Sequence, residues 1–204
     1  MPELPMFPLG TVLLPHMALP LHIFEPRYVS LIEDVVAGDG EFGVTLIARG
    51  HEVGGGDVRH DIGTVAKVVR AEELDDGRWV VIAVGTRRIR VQRWVAEEPY
   101  PLADIEELPD PEPEPGTAAL LADLEPQLRR SLAMLTDLGE EGVPSPFELS
   151  DDVLRASWQA AIVIPFTPYD AQRVLETDSC RERLLLTTSL VADLEETLAF
   201  RYDG

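Results

Sequence analysis

Eight residues divide this chain into two kinds of patterning. Residues 109–116 read PDPEPEPG, a composition whose prolines favour extended polyproline II and whose acids keep the segment solvated. Before it, apolar residues mostly alternate with polar ones in short runs, as strands require. After it, Leu121, Leu124, Leu128, Leu132 and Leu135 recur at helical spacing. Strands segregated from helices predict an α+β fold. The expected layout is a β-rich part over 1–108, a linker over 109–116 and a helical part over 117–204.

Within the first part, strands are expected at 3–9, 11–14 and 18–24, where prolines confine them to edges or ends. Pro26 suits the first position of a helix. Behind it, Tyr28, Leu31, Ile32, Val35 and Val36 form one apolar stripe, which Gly38 and Gly40 stop. Further strands are expected at 41–48, 62–71, 79–84, 87–95 and 100–108, with Asp76-Gly77 as a hairpin turn and Gly85 as a break. Alternation along 87–95 sends Arg88 and Arg90 outward. Residues 49–61 form a polar, glycine-rich loop. In the second part, Pro126 should kink one helix or start another. Ser150 is the expected cap of the next helix, which carries Trp158 and ends at Pro165. Thr167-Pro168-Tyr169-Asp170 restarts helix with a cap, a proline at N1 and an acid at N3. A last helix is expected over 179–200, with Leu184, Val191, Leu194 and Leu198 inward.

Charge narrows the function classes. The net charge is −20, from 37 acidic and 17 basic residues. Such a surface repels phosphate backbones and anionic lipid, which argues against nucleic acid and membrane as partners. No apolar run reaches the roughly 18–20 residues of a membrane helix. The apolar residues 1–28 lack a basic start and a small-residue cleavage site, and prolines interrupt them, so they read as structure rather than as a signal peptide. Cys180 is the only cysteine, which excludes an intramolecular disulfide and suits a reducing cytoplasm.

Three side-chain groups are candidates for chemistry. His22, Glu25 and Arg27 could form a catalytic trio, but an acid and an arginine flanking a proline-started helix read better as a structural polar cluster bound by charge-assisted hydrogen bonds. His51, Asp57, His60 and Asp61 have ligand chemistry for zinc or manganese, yet no helical spacing pairs them and a solvated loop is expected. Arg87, Arg88, Arg90 and Arg93 are the basic concentration; without interleaved aromatics they should pair with the surplus acids. No nucleophile, base and orienting group emerge together, so no catalytic residue and no cofactor or metal is expected.

Several stretches in order also resemble one family. Phe7-Pro8-Leu9, Leu14-Pro15, Leu21-His22-Ile23-Phe24-Glu25-Pro26-Arg27-Tyr28, FGVTLI at 42–47, IGTVAKV at 62–68 and DGRWVVIAVGTRRIRV at 76–91 are similar to the Lon protease amino-terminal, or substrate-binding, domain. The short-then-long helical run over 165–198 resembles it too. The resemblance implies a PUA-like β-barrel with one early helix, followed by a C-terminal helical bundle. It implies non-catalytic recognition of unfolded or extended protein segments, in an adaptor or quality-control role, with a separate protease as a further partner. A G-x-x-x-x-G-K-[ST] phosphate loop is absent from the sequence, and a Ser-Lys dyad would have to use Lys67, the only lysine. The expectation is therefore a stand-alone domain without ATPase or protease modules. Phe24, Tyr28, Trp79, Trp94, Trp158 and Phe166 are the large anchors. Four of the six are expected in the core, and the others in an apolar groove between barrel and bundle, with an acidic rim that would suit basic or apolar peptides. A small-ligand sensor using a PUA-like pocket is the alternative.

Overall fold

The structure, a computed structural model, describes residues 3–49, 58–139 and 147–202. These described residues form an α+β fold of a six-stranded mixed sheet and five helices: β1 (Glu3–Leu9), β2 (Ala18–Ile23), α1 (Pro26–Ala37), β3 (Glu41–Arg49), β4 (Val58–Glu73), β5 (Trp79–Ala96), β6 (Leu102–Leu108), α2 (Thr117–Asp137), α3 (Val153–Ile162), α4 (Pro168–Leu175) and α5 (Cys180–Tyr202). The chain divides into two compact units, Met1–Pro109 and Asp110–Gly204.

In the first unit the strands follow the order β2-β5-β4-β3-β1-β6, and β6 pairs with β5 as well as with β1. Only β1 and β3 run parallel. One face carries Phe7, Leu9, Phe42, Val44, Ala66, Val81 and Ala83, packed with Tyr28, Leu31, Ile32 and Val35 of α1. The other carries Leu4, Met6, Val65, Ile89, Val91, Ala103 and Ile105.

Residues 11–14 are not a strand, although Val12, Leu13 and Leu14 are buried. They cross the sheet. The Leu13 carbonyl accepts from Thr64 Oγ1 at 2.6 Å, and a side chain at position 85 would place its Cβ 2.2 Å from the Leu14 carbonyl oxygen. Gly85 is where this crossing touches the sheet. It does not end a strand. β5 runs through it, with a register shift between the pairs Val65–Arg87 and Ala66–Gly85. The extra residue changes which face the odd-numbered positions occupy. Val81 and Ala83 lie on the α1 face, whereas Ile89 and Val91 lie on the opposite one. Arg88 thereby sits opposite Thr64, next to the crossing segment, and is 4% exposed. Its expected outward placement is wrong for that reason; Arg90 is exposed as expected.

The phenol of buried Tyr100 donates to Asp34 of α1 at 2.7 Å. Burial and the Asp34 carboxylate push its pKa from the usual 10 up to about 12. The neutral phenol is favoured in the folded state, so this stabilisation is complete below pH 10 and is lost as pH rises through 12. The rise from 10 to about 12 corresponds to about 3 kcal/mol. Denaturant titrations of wild type should show stability falling by up to that amount between pH 10 and 12, and Tyr100→Phe should flatten the fall.

In the second unit, α2 continues through Pro126 as one helix. The proline and Ala122, whose carbonyl loses its partner, both lie on the exposed face, where water can replace the missing bond. Asp152, rather than Ser150, caps α3 by accepting from the Arg155 amide at 2.9 Å; the Ser150 hydroxyl accepts from Asp152 N instead. Thr167 caps α4 as expected, accepting from Asp170 N. Leu184, Val191 and Leu198 of α5 are buried among Leu124, Leu128, Leu132 and Leu135 of α2.

A charged group lies inside this apolar packing. Arg183 is 0% exposed. Its Nε donates to Ser157 Oγ at 2.9 Å and its Nη1 to Asp110 Oδ1 at 3.2 Å. Its guanidinium lies 3.5 Å from the centre of the Trp158 ring, and Trp158 Nε1 donates to Asp110 Oδ2 at 2.9 Å. Composition makes Asp110 a solvated linker acid; the structure makes it the counter-charge of a buried arginine. Removing one member of such a pair costs about 3–5 kcal/mol, because the other is left buried and uncompensated. Arg183→Met should destabilise the second unit by about that much in urea denaturation, and Asp110→Asn by less, since an amide oxygen can still accept.

Candidate functional site

The candidate site is the end of β2 and the start of α1, where the LHIFEPRY stretch lies. β2 stops at Ile23 because Pro26 fixes the next residues for a helix start. Glu25 is extended at φ −73°, ψ 132°, and its carbonyl accepts from the amides of Tyr28 and Val29 at 3.0 and 2.9 Å. Its carboxylate does not cap the helix. It accepts from Arg27 Nε at 3.3 Å, and the Arg27 guanidinium lies 4.4 Å over the Tyr28 ring. Tyr28 in turn stacks on Phe7, centroids 4.0 Å apart and planes 10° from parallel. Phe7 meets Phe42 at 6.1 Å. A chain of contacts thus ties the turn to β1 and β3.

Above this stack lies a cleft of about 120 Å³, lined by Phe7, Leu9, Leu21, Ile23, Phe24 and Tyr28, with His22 and Glu25 at its polar margin. Phe24 is 64% exposed. Tyr28 is 3% exposed and forms the floor. The remaining anchors lie elsewhere. Trp79 is half-buried opposite Ile23 on β5, so the two side chains share a sheet face; its indole N–H has no hydrogen-bond partner among the described residues. Trp94 is covered by Arg59, whose guanidinium lies 4.1 Å from the ring centre and pairs with Glu97. Trp158 is 1% exposed beside Arg183, and Phe166 is half-buried in the helical core. Of the six, Phe24 and Tyr28 come together with the polar cluster. Within that cluster Glu25 and Arg27 pair, while His22 is exposed on the outer face of β2.

Patterning alone places Phe7, Leu9, Leu21 and Ile23 in strands and not at a site. Leu21 and Ile23 share one short motif with Phe24 and Tyr28, and Phe7 and Leu9 belong to another, Phe7-Pro8-Leu9. Other candidates have structural placements. Lys67 Nζ donates to the Asp39 carbonyl. Cys180 is buried, with Sγ 3.7 Å from the Val153 carbonyl oxygen. Arg87 binds Glu41 and Glu107, and Arg93 binds Asp104. His51 and Asp57 lie outside the described residues; among those described, no three His, Cys, Asp or Glu side chains gather as metal ligands. No described helix is long and apolar enough to cross a membrane.

Residues 3–193 match the family model of the ATP-dependent protease La (LON) substrate-binding domain. The chain belongs to that family. Among curated proteins, it is 35% identical over 125 residues to the Lon protease of Flavobacterium johnsoniae, covering 60% of this chain and 15% of that protein. It is 26% identical over 209 residues to that of Trichlorobacter lovleyi, covering 97% and 25% respectively. The chain therefore spans a quarter or less of the length of these relatives. The crystal structure of a Lon N-terminal domain protein from Xanthomonas campestris superposes with a TM-score of 0.67 at 27% identity, covering 94% of this chain and 98% of that one. The N-terminal domain of the Mycobacterium avium complex Lon protease, at 18% identity, shares the fold with a TM-score of 0.67 over 94% of this chain.

Burial separates the two aromatics of the site. Tyr28→Ala should cost about 3–5 kcal/mol, as for other buried aromatic truncations. Phe24→Ala should stay within about 0.5 kcal/mol of wild type. Thermal and denaturant unfolding of both variants measures the difference.

Proposed function

We propose that this chain is a non-catalytic recognition module that binds unfolded or extended protein segments, in an adaptor or quality-control role. The observation that carries this reading is the cleft beside Phe24. A large aromatic is held in water, at 64% exposure, over a rigid floor of stacked Phe7 and Tyr28. Exposed aromatics above preformed apolar clefts are characteristic contact anchors. The matching family model is described as a substrate-binding domain, which supports the same reading. β6 pairing with both β1 and β5 favours a PUA-like barrel for the first unit, and the packing of α2 with α5 favours a helical bundle for the second. A chain with one, buried, cysteine fits work in the reducing cytoplasm.

The acidic balance selects among clients: a net charge of −20 favours apolar segments with basic flanks. The alternative, a small-ligand sensor, gains no support from this cleft, since about 120 Å³ falls below the roughly 300–1,000 Å³ of small-molecule sites.

The test is binding of a fluorescent, reduced and carbamidomethylated protein against its native form, followed by anisotropy. The unfolded form should bind, the native form should not, and Phe24→Ala should weaken binding about tenfold. No binding of the unfolded form, or equal binding of both, overturns the reading.

A further inference from the structure

The backbone hydrogen bonds of β2 extend this reading to the way a client is held. Gly85 N donates to the Met17 carbonyl at 2.9 Å, just before the pair Ala18–Val84. Ala18 and Val84 therefore form a non-hydrogen-bonded pair. The pairing then continues without a shift from Leu19–Ala83 to Ile23–Trp79, so Leu19, Leu21 and Ile23 exchange bonds with β5. The N–H and C=O groups of Ala18 and His22, and the C=O of Pro20, face away from it. Pro20 has no N–H to give, which agrees with this parity. β2 is the end strand of the sheet, and among the described residues no hydrogen bond engages these outward groups. The side chains of Leu21 and Ile23, next to them, line the apolar cleft.

We infer that an extended client segment is bound as an added β-strand on the free edge of β2, with one apolar side chain in the cleft and basic residues flanking it. The geometry specifies the pattern. In a client running antiparallel to β2, the residue opposite Leu21 projects onto the same sheet face as Leu21 and enters the cleft. Its own amide points away from β2. Its two neighbours direct their amides at the outward carbonyls of the edge. A cleft of about 120 Å³ accommodates a single leucine-sized side chain. The charge preference comes from the adjoining hairpin. Glu73 stands opposite Trp79, which stands opposite Ile23, so it lies two strand spacings, about 10 Å, from the end of β2. Arg70 and Arg78 pair with Glu72 and Asp76, and no ion pair neutralises Glu73 or Asp75 among the described residues. A strand added on the free edge lies one spacing further, roughly 14 Å from Glu73, a distance that long lysine side chains shorten and over which the field acts at low salt.

This inference rests on the recognition function proposed above, and the experiment separates the two. The probe is a seven-residue peptide, lysine-threonine-threonine-leucine-threonine-threonine-lysine, labelled and titrated by anisotropy, with three analogues. N-methylation of the leucine amide should leave affinity within about twofold. N-methylation of both flanking threonine amides should weaken it at least tenfold, as expected for two lost hydrogen bonds. Replacing the lysines by glutamates should weaken it further at low salt than at high salt. Amide exchange of the free and peptide-bound protein should show the His22 N–H becoming protected on binding. Failure of the peptide and of the unfolded protein to bind overturns both proposals. Binding that is indifferent to which amide is methylated, or that leaves His22 exchanging freely, overturns strand addition while leaving recognition standing. Concentration-dependent dimerisation with His22 protected in the absence of peptide assigns the edge to a second copy and also overturns it.

Discussion

The close approach between the chain crossing at Leu13–Leu14 and the sheet at Gly85 governs the first unit. It needs a residue without a side chain at position 85, since a Cβ would lie 2.2 Å from a carbonyl oxygen. It also uses Gly85 twice as a hydrogen-bonding partner, accepting from His16 N and donating to Met17 O. Those two bonds start the β2–β5 ladder. Because side-chain direction and bonding direction both repeat every two residues, that starting point determines everything downstream. It puts Leu21 and Ile23 over the cleft, leaves Phe24 in solvent at the turn, and turns the backbone of His22 outward. A slip of one residue would bury His22 and Pro20 and expose the leucines.

The parts of the fold legible in the sequence were those set by local chemistry. Pro26 begins α1, Gly38 ends it, Thr167 caps α4, and α5 keeps its apolar stripe inward; each depends on neighbours within a turn of helix. The misplacements needed long-range information. Residues 11–14 are as apolar as a strand, but their partners are a threonine hydroxyl 51 positions away and a glycine on β5. Arg88 followed an alternation that the register shift after Gly85 reverses. Asp110 looked like one acid among several in a proline-rich run, and only the tertiary fold brings it to Arg183. At the site, the motif residues were visible, but which of them formed floor, wall and rim depended on the Phe7–Tyr28 stack across distant segments.

Arginine is used largely inward or in pairs. Arg183 is enclosed with Asp110 and Trp158, Arg88 lies beside the crossing segment, and Arg87 spans Glu41 and Glu107, which hold its guanidinium protonated well above the ordinary range. A planar, permanently charged group suits such multivalent positions better than an ammonium. The consequence is a surface on which acids outnumber unpaired cations.

Pro20 adds a kinetic meaning to the edge on which it sits. It interrupts the row of outward donors, so whatever lies along β2 is fastened at only a few points and cannot zip along the full strand. A contact of that kind forms readily and lets go readily. Residence would be brief, and the same surface could sample many chains in succession while resisting the long, in-register pairing that leads to aggregation.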